Sequence, residues 1–200
     1  MFEAAPPTVV LVHGAFADGH SYGGAMISNA ATGAENVVGL VFVAAFAPEE
    51  DEALGEAAAD STDSVLNSAL VPLHYPATNG EETAVEFAID PARFKHAFAA
   101  DLPTEEAAVM AATQRPVAEL AFSERSGPPA WKSLPSWTVV ATGDKAAGAD
   151  LVRSMAERAG ATITEVDGSH VIMISQPQAV TDVILEALAA VGSAPVRQEG

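Results

Sequence analysis

The sequence predicts an α/β domain: a mostly parallel sheet of about four strands, interrupted by a helical insertion. Three observations carry this. Short apolar or β-branched runs recur at Thr8–Val12, Val37–Val43, Trp137–Ala141 and Thr162–Val166. Helical patterns separate them. The long section from Pro48 to Pro135 has a different character, rich in Ala, Glu and Pro and without a convincing strand. Unbroken apolar runs suit parallel strands buried on both faces, although Thr162–Val166 alternates more. Alternation of strand and helix implies right-handed crossovers.

Taken in order, the first run is followed by a helical pattern over Ser21–Ala31 and then by the second run. The insertion, about residues 49–134, holds helical patterns at Glu50–Ala59, Pro91–Ala100 and Thr104–Thr113. After the third run, Ala149–Ala159 carries Leu151, Val152 and Met155 on one stripe. After the fourth, Val180, Val183, Ile184, Leu188 and Val191 fall at helical spacing, with Ser175 as a predicted N-cap and Pro177 in the first turn. The chain reads as one domain over residues 1–200, with a polar tail, 192–200, expected to fray. No internal repeat is evident.

Composition narrows the function classes. Two hundred residues, 49% of them hydrophobic, can bury a sizeable core. The net charge is −18, and no Lys or Arg precedes Arg93. Such a surface repels phosphate backbones and anionic headgroups, so neither nucleic acid nor a membrane surface is an expected partner. The longest apolar run, Val37–Ala47, falls short of the ~20 residues a bilayer requires. The opening MFEAAPPT lacks the basic and apolar regions of a signal peptide. With no Cys there is neither a disulfide framework nor a thiol nucleophile. A cytoplasmic protein is the expectation.

The stretch TVVLVHGAFADGHSYGGAMISNA, Thr8–Ala30, sets the functional question. Gly14 to Ser21 fits the spacing of a phosphate-binding loop. His20, however, stands where that loop needs Lys to reach the β- and γ-phosphates, and Asp18 would put a carboxylate inside the cradle. A metal site on His13, Asp18 and His20 has nothing to fix its geometry. The third reading is a nucleophile elbow. Gly19-His20-Ser21-Tyr22-Gly23 matches G-x-S-x-G, which places Ser on a tight strand-to-helix turn. Alone that motif is weak, since Gly and Ser are common loop residues, and the competing role of Ser21 is a helix N-cap. Asp144, in VVATGDKA, follows the third run, and His170, in EVDGSHVIM, follows the fourth. Ser, then Asp, then His, the last two after successive strands, is the chain order of α/β-hydrolases.

On these residues the sequence resembles the α/β-hydrolase superfamily, and within it esterase-like members related to methylsalicylate esterases and hydroxynitrile lyases. The segments TVVLVHGAFADG, GHSYGGAMISNAATGAENVVGLVFVAAFAPEE, GPPAWKSLPSW, VVATGDKA and MAERAGATITEVDGSHVIMISQP carry the likeness, which covers nearly the whole chain. It departs from the family in one place. The helix, strand, helix and elbow strand normally found between HGAFADG and GHSYGG are absent, leaving a shortened α/β-hydrolase-like fold. Residues Ala15–Gly19, at ~3.4 Å each, can bridge two loops that lie side by side in the intact fold. The expectation is that Thr8–Val12 pairs with Val37–Val43, and that removal of two crossovers exposes a sheet edge through which copies of the chain associate.

The resemblance implies roles. Ser21 is the nucleophile, His170 the base and Asp144 the acid that orients it; backbone N–H groups of Ala15 and Tyr22 form the oxyanion hole. Asp167 is a rival acid, poorly placed on the loop of His170 itself, and Asp150 reads as a helix-start residue. His13 is expected to pack beneath the oxyanion loop, with His74 and His96 in the insertion. Phe87, Phe94, Phe98, Met110, Phe122 and Trp131 pack the insertion on the sheet, and some of them line a pocket. No metal or other cofactor is implied. The activity expected is hydrolysis of a small, mostly apolar ester through an acyl-enzyme, although relatives also cleave C–C bonds or cyanohydrins. The competing readings are a catalytically silent remnant that binds small ligands or only folds, and an NTP-binding loop protein.

Overall fold

A computed structural model describes residues 8–10, 23–77 and 83–192. In chain order the elements are α1 (Gly23–Ala30), β1 (Leu40–Val43), α2 (Leu54–Ala59), α3 (Leu66–Ala69), β2 (Leu70–Pro76), β3 (Thr83–Ile89), α4 (Pro91–Phe98) and α5 (Thr104–Thr113). They continue with β4 (Val117–Ala118), α6 (Leu120–Ser123), a 3₁₀ turn at Ala130–Lys132, β5 (Ser136–Ala141), α7 (Ala149–Arg158), β6 (Thr162–Val166), α8 (Ile172–Ser175) and α9 (Pro177–Gly192).

The main sheet has the order β1-β5-β6, and both pairings are parallel, with Val41 opposite Trp137 and Val139 opposite Thr164. Every residue of central β5 is buried. Its period of two divides them between layers. Trp137, Val139 and Ala141 pack on Val180, Val183 and Ala187 of α9, while Val140 packs on Val152 of α7. A third cluster joins Leu40 and Phe42 of β1 to Met155 of α7 and to Trp131, whose indole N–H donates to the Pro48 carbonyl at 3.0 Å.

Three expectations need correction. Among the described residues the main sheet has three strands rather than about four. Thr8, Val9 and Val10 lie in no strand, and Val9 and Val10 are 45% and 79% exposed. A strand inserted beside β1 owes its place to burial on both faces, and these valines do not receive it. Leu11 and Val12 lie outside the described residues, as does the tail from Ser193 to Gly200. The insertion, for its part, is not free of strands: β2, β3 and β4 form a separate antiparallel sheet in that order. Pro72 and Pro76 argue against a strand in the sequence, but β2 is the edge of its sheet, where a missing N–H is tolerated. Ser175 also differs from expectation, ending α8 instead of capping α9.

The insertion has its own core. Phe94 and Phe98 of α4 pack with Ala107 and Ala111 of α5, Ile89 and Val117. Asp90 caps α4 by accepting the Ala92 N–H at 2.9 Å, and Pro91 starts the helix where no N–H is needed.

Asp150, in the first turn of α7, ties the insertion to the sheet. Its carboxylate accepts the Ser61 hydroxyl at 2.6 Å, the Thr62 N–H at 2.7 Å and the Thr62 hydroxyl at 2.9 Å. Burial alone would push this carboxyl up, but the donors from Ser61 and Thr62 prevail and hold it at about 2. Because the folded value is depressed, the stabilisation is complete above the unfolded value near 3.9 and is lost as pH falls through about 2. Replacing Asp150 by Ala is expected to cost roughly 1 kcal/mol at pH 7, the site being half exposed. The measurement is urea denaturation of both proteins across pH, with the gap between them closing in acid.

Candidate active site

The C-terminal ends of parallel strands are where an open α/β sheet builds its sites, and Asp144 and His170 both stand there. After β5 the chain turns through Thr142 and Gly143 into Asp144; after β6 it turns through Asp167, Gly168 and Ser169 into His170. The two turns are joined through their backbones. The Thr142 N–H donates to the Val166 carbonyl and the Gly143 N–H to the Gly168 carbonyl, both at 2.9 Å. They therefore continue the β5–β6 ladder and hold the two side chains in register.

Asp144 is 1% exposed, and its carboxylate is fully engaged. Oδ1 accepts the N–H groups of Ala146 at 2.8 Å and Ala147 at 3.0 Å, while Oδ2 lies 2.8 Å from Nδ1 of His170. A buried carboxylate is costly unless its oxygens find donors, and here three donors converge on it. Burial works against the His170 imidazolium, yet the charge and hydrogen bond of Asp144 outweigh it and raise the histidine above its ordinary value. With Nδ1–H donated to Asp144, the lone pair of the neutral ring is on Nε2, the atom a general base needs.

The ring is also contacted from the insertion. Phe98 stacks at a tilt, its centroid 4.7 Å from that of the imidazole. A cavity of about 840 Å³ opens beside His170, lined there by Phe98, Met110, Phe122, Leu54 and Ala146, and it continues along β1 and α9. Its size and apolar walls suit a small organic ligand. Gly23, the first residue of α1, also lines it.

The structure thus brings Asp144 and His170 together. Ser21, Ala15 and Tyr22 lie outside the described residues, as do His13, Asp18 and His20. The rival acid Asp167 is directed elsewhere, with its Oδ1 3.5 Å from the Thr142 hydroxyl. His74 and His96 are exposed in the insertion. Phe98, Met110 and Phe122 line the cavity, whereas Phe94 and Trp131 are core, and Phe87 meets Phe122 edge to face at 6.0 Å. Sequence reasoning passed over Asp101, between α4 and α5, which bonds both the hydroxyl and the N–H of Ser169. A single Asp in a loop 68 residues away carries no local signal of that contact.

Among the described residues, no group of His, Asp and Glu is arranged to hold a metal ion, and no helix is long and apolar enough to cross a membrane.

The alpha/beta hydrolase family model matches residues 19–183. The chain belongs to that family. The match opens at Gly19, so the segment His13–Phe16 precedes it. No curated protein matches the chain in sequence. Solved structures of the same fold include polyneuridine aldehyde esterase, 18% identical over 88% of this chain and 71% of that one, with a TM-score of 0.63. A methylesterase from Arabidopsis is 17% identical over 86% and 68%, with a TM-score of 0.64. Tomato methylketone synthase I, solved with 2-tridecanone, is 22% identical over 87% and 70%, with a TM-score of 0.63. At these identities the likeness is one of fold. The match spans 70% of the methylketone synthase chain.

Proposed function

We propose that the protein is a cofactor-independent serine hydrolase that cleaves a small, mostly apolar ester through an acyl-enzyme. The observation that carries this is the 2.8 Å contact between His170 Nδ1 and the buried Asp144 carboxylate, at the rim of the parallel sheet and beside an apolar cavity. Ser21, at the centre of the G-x-S-x-G match, is the nucleophile. His170 Nε2 takes the Ser21 proton as Oγ adds to the ester carbonyl, and the backbone N–H groups of Ala15 and Tyr22 stabilise the resulting oxyanion. His170 then returns the proton to the departing alkoxide. In the second half, His170 deprotonates a water that adds to the acyl carbon, and Ser21 leaves with that proton. Asp144 keeps the imidazole in the productive tautomer throughout.

A second reading is a ligand-binding remnant without turnover. It is favoured by one observation: Thr8, Val9 and Val10, from the run that should support the site, pair with no strand. Fluorophosphonate labelling separates the two. Labelling of the wild-type protein, abolished in Ser21→Ala, together with hydrolysis of p-nitrophenyl butyrate, is the expected result. A folded wild-type protein that takes up no probe would establish the remnant instead.

A further inference from the structure

We propose that Asp101 is a positioning residue for His170, through which the insertion holds the histidine loop in the geometry that general-base catalysis requires. The proposal rests on the serine hydrolase reading for its kinetic arm only.

Asp101 follows α4 by three residues, and the two ends of this short stretch close on the same target. Phe98, the last residue of α4, lies against the imidazole at 4.7 Å between centroids. Asp101 grips the residue next to the histidine: its Oδ2 accepts the Ser169 N–H at 3.0 Å and its Oδ1 accepts the Ser169 hydroxyl. Ser169 is 3% exposed, so the serine end of these bonds is buried, while the Asp101 carboxylate reaches it from an exposed position. Two bonds from one carboxylate to the backbone and side chain of one residue fix its rotation as well as its position.

The loop is shaped to admit that carboxylate. A Cβ at position 168 would stand 2.8 Å from Asp101 Oδ2 and would overlap the end of the Ile172 side chain, so either side chain would have to shift to admit it, whereas glycine leaves the approach open. Burial works against the charged form of Asp101, but the hydroxyls of Ser169 and Ser175 and the Ser169 N–H hold its carboxyl below the usual aspartate value. His170 is thereby held from two sides. Asp144, after β5, fixes Nδ1; Asp101, from the insertion, fixes the main chain one residue before it. Asp101 itself bonds Ser169 rather than the imidazole, so it acts through the loop.

The test compares Asp101→Ala, Asp101→Asn and Ser169→Ala with the wild-type protein. The first readout is the downfield proton resonance of His170 Nδ1–H, assigned by its loss in Asp144→Ala, which requires no turnover. The second is the kinetics of p-nitrophenyl butyrate hydrolysis. A misplaced general base loses rate without losing substrate, so Asp101→Ala is expected to lower kcat about 10–100-fold with KM changed by less than about threefold. Its Nδ1–H resonance should broaden through exchange with water. Ser169→Ala keeps the N–H donor and should cost less than about fivefold. The double variant should be no worse than Asp101→Ala alone, since both remove one interaction.

An Asp101→Ala protein with an unchanged resonance overturns the proposal whatever its stability. So does an unchanged kcat where the wild-type protein turns over. If the wild-type protein shows no turnover at all, the hydrolase reading falls, and the resonance alone decides whether Asp101 positions His170.

Discussion

Replacing Asp144 by Asn is expected to lower kcat by about 10⁴-fold, with little change in the fold. The side chain would keep its shape, and its Oδ1 could still accept from Ala146 and Ala147. What it loses is the charge, and with it the ability to accept the Nδ1 proton, because the Asn NH₂ is itself a donor. The imidazole must then turn or shift its proton to Nε2, and the base is gone. The pH profile gives a second, independent sign. Catalysis needs neutral His170, so activity rises with pH through the folded pKa of that residue, which burial opposes but Asp144 raises above the ordinary histidine value. The acid limb of kcat/KM for the wild-type protein should therefore lie above about 6.5. Without the Asp144 charge only burial is left, and the limb of the residual activity should move to lower pH. Stability follows the opposite course. A raised folded pKa contributes stability that is complete below the unfolded value and disappears as pH climbs through the folded one. The protein should thus lose this part of its stability over the range in which it gains activity. A stopped assay and urea titrations between pH 5 and 9 read both trends; a limb that stays in place in Asp144→Asn would break the link between the two residues.

The sequence read some levels of the structure more easily than others. β5 is legible because burial on both faces demands an unbroken apolar run, and β6, a partly exposed edge strand, because its β-branched residues alternate with polar ones; their bounds as predicted differ from the structure by at most one residue. Helix α5 is equally legible: its pattern over Thr104–Thr113 matches the element residue for residue. The pairing of Asp144 with His170 was readable because each falls directly after one of those strands, so that topology alone brings them to one rim. The β2–β3–β4 sheet was hidden for a different reason. Its strands lie in an insertion with its own small core, where β2 is mostly exposed and contains two prolines, so neither periodicity nor composition marks it. Thr8–Val10 failed in the other direction. Its apolar run is strand-like locally, but a strand also needs a partner and a buried face, and neither is encoded in two valines and a threonine. Contacts such as that of Asp101 with Ser169 are set by tertiary placement alone.

Gly24→Ala is expected to destabilise the protein by about 3 kcal/mol, lowering Tm by roughly 10 °C in a chain of this size. Propensity alone predicts the reverse, since Ala in a helix is better than Gly by about 1 kcal/mol. The packing of α1 decides the sign. A Cβ at position 24 would overlap the Phe46 carbonyl oxygen and stand 2.9 Å from its carbon and 3.1 Å from the Phe46 nitrogen. These are backbone atoms of the segment that leaves β1, so no side-chain rotation relieves the clash. The helix cannot withdraw freely either: Ala25 and Ser28 are buried along the same face, and Ser28 is 0% exposed. Relief requires α1 to move as a unit, opening voids along that face. Because Gly23, at the start of the same helix, lines the cavity beside His170, the movement should also weaken probe labelling in whatever fraction stays folded. Gly33 supplies the control. It has φ +74° but nothing within 4 Å of its missing Cβ, so Gly33→Ala should cost only the conformational penalty of about 1–2 kcal/mol and leave labelling unchanged. If Gly24→Ala melts within about 2 °C of the wild-type protein, the close approach of α1 to the segment after β1 is refuted, and with it the anchoring of the helix that follows the G-x-S-x-G motif.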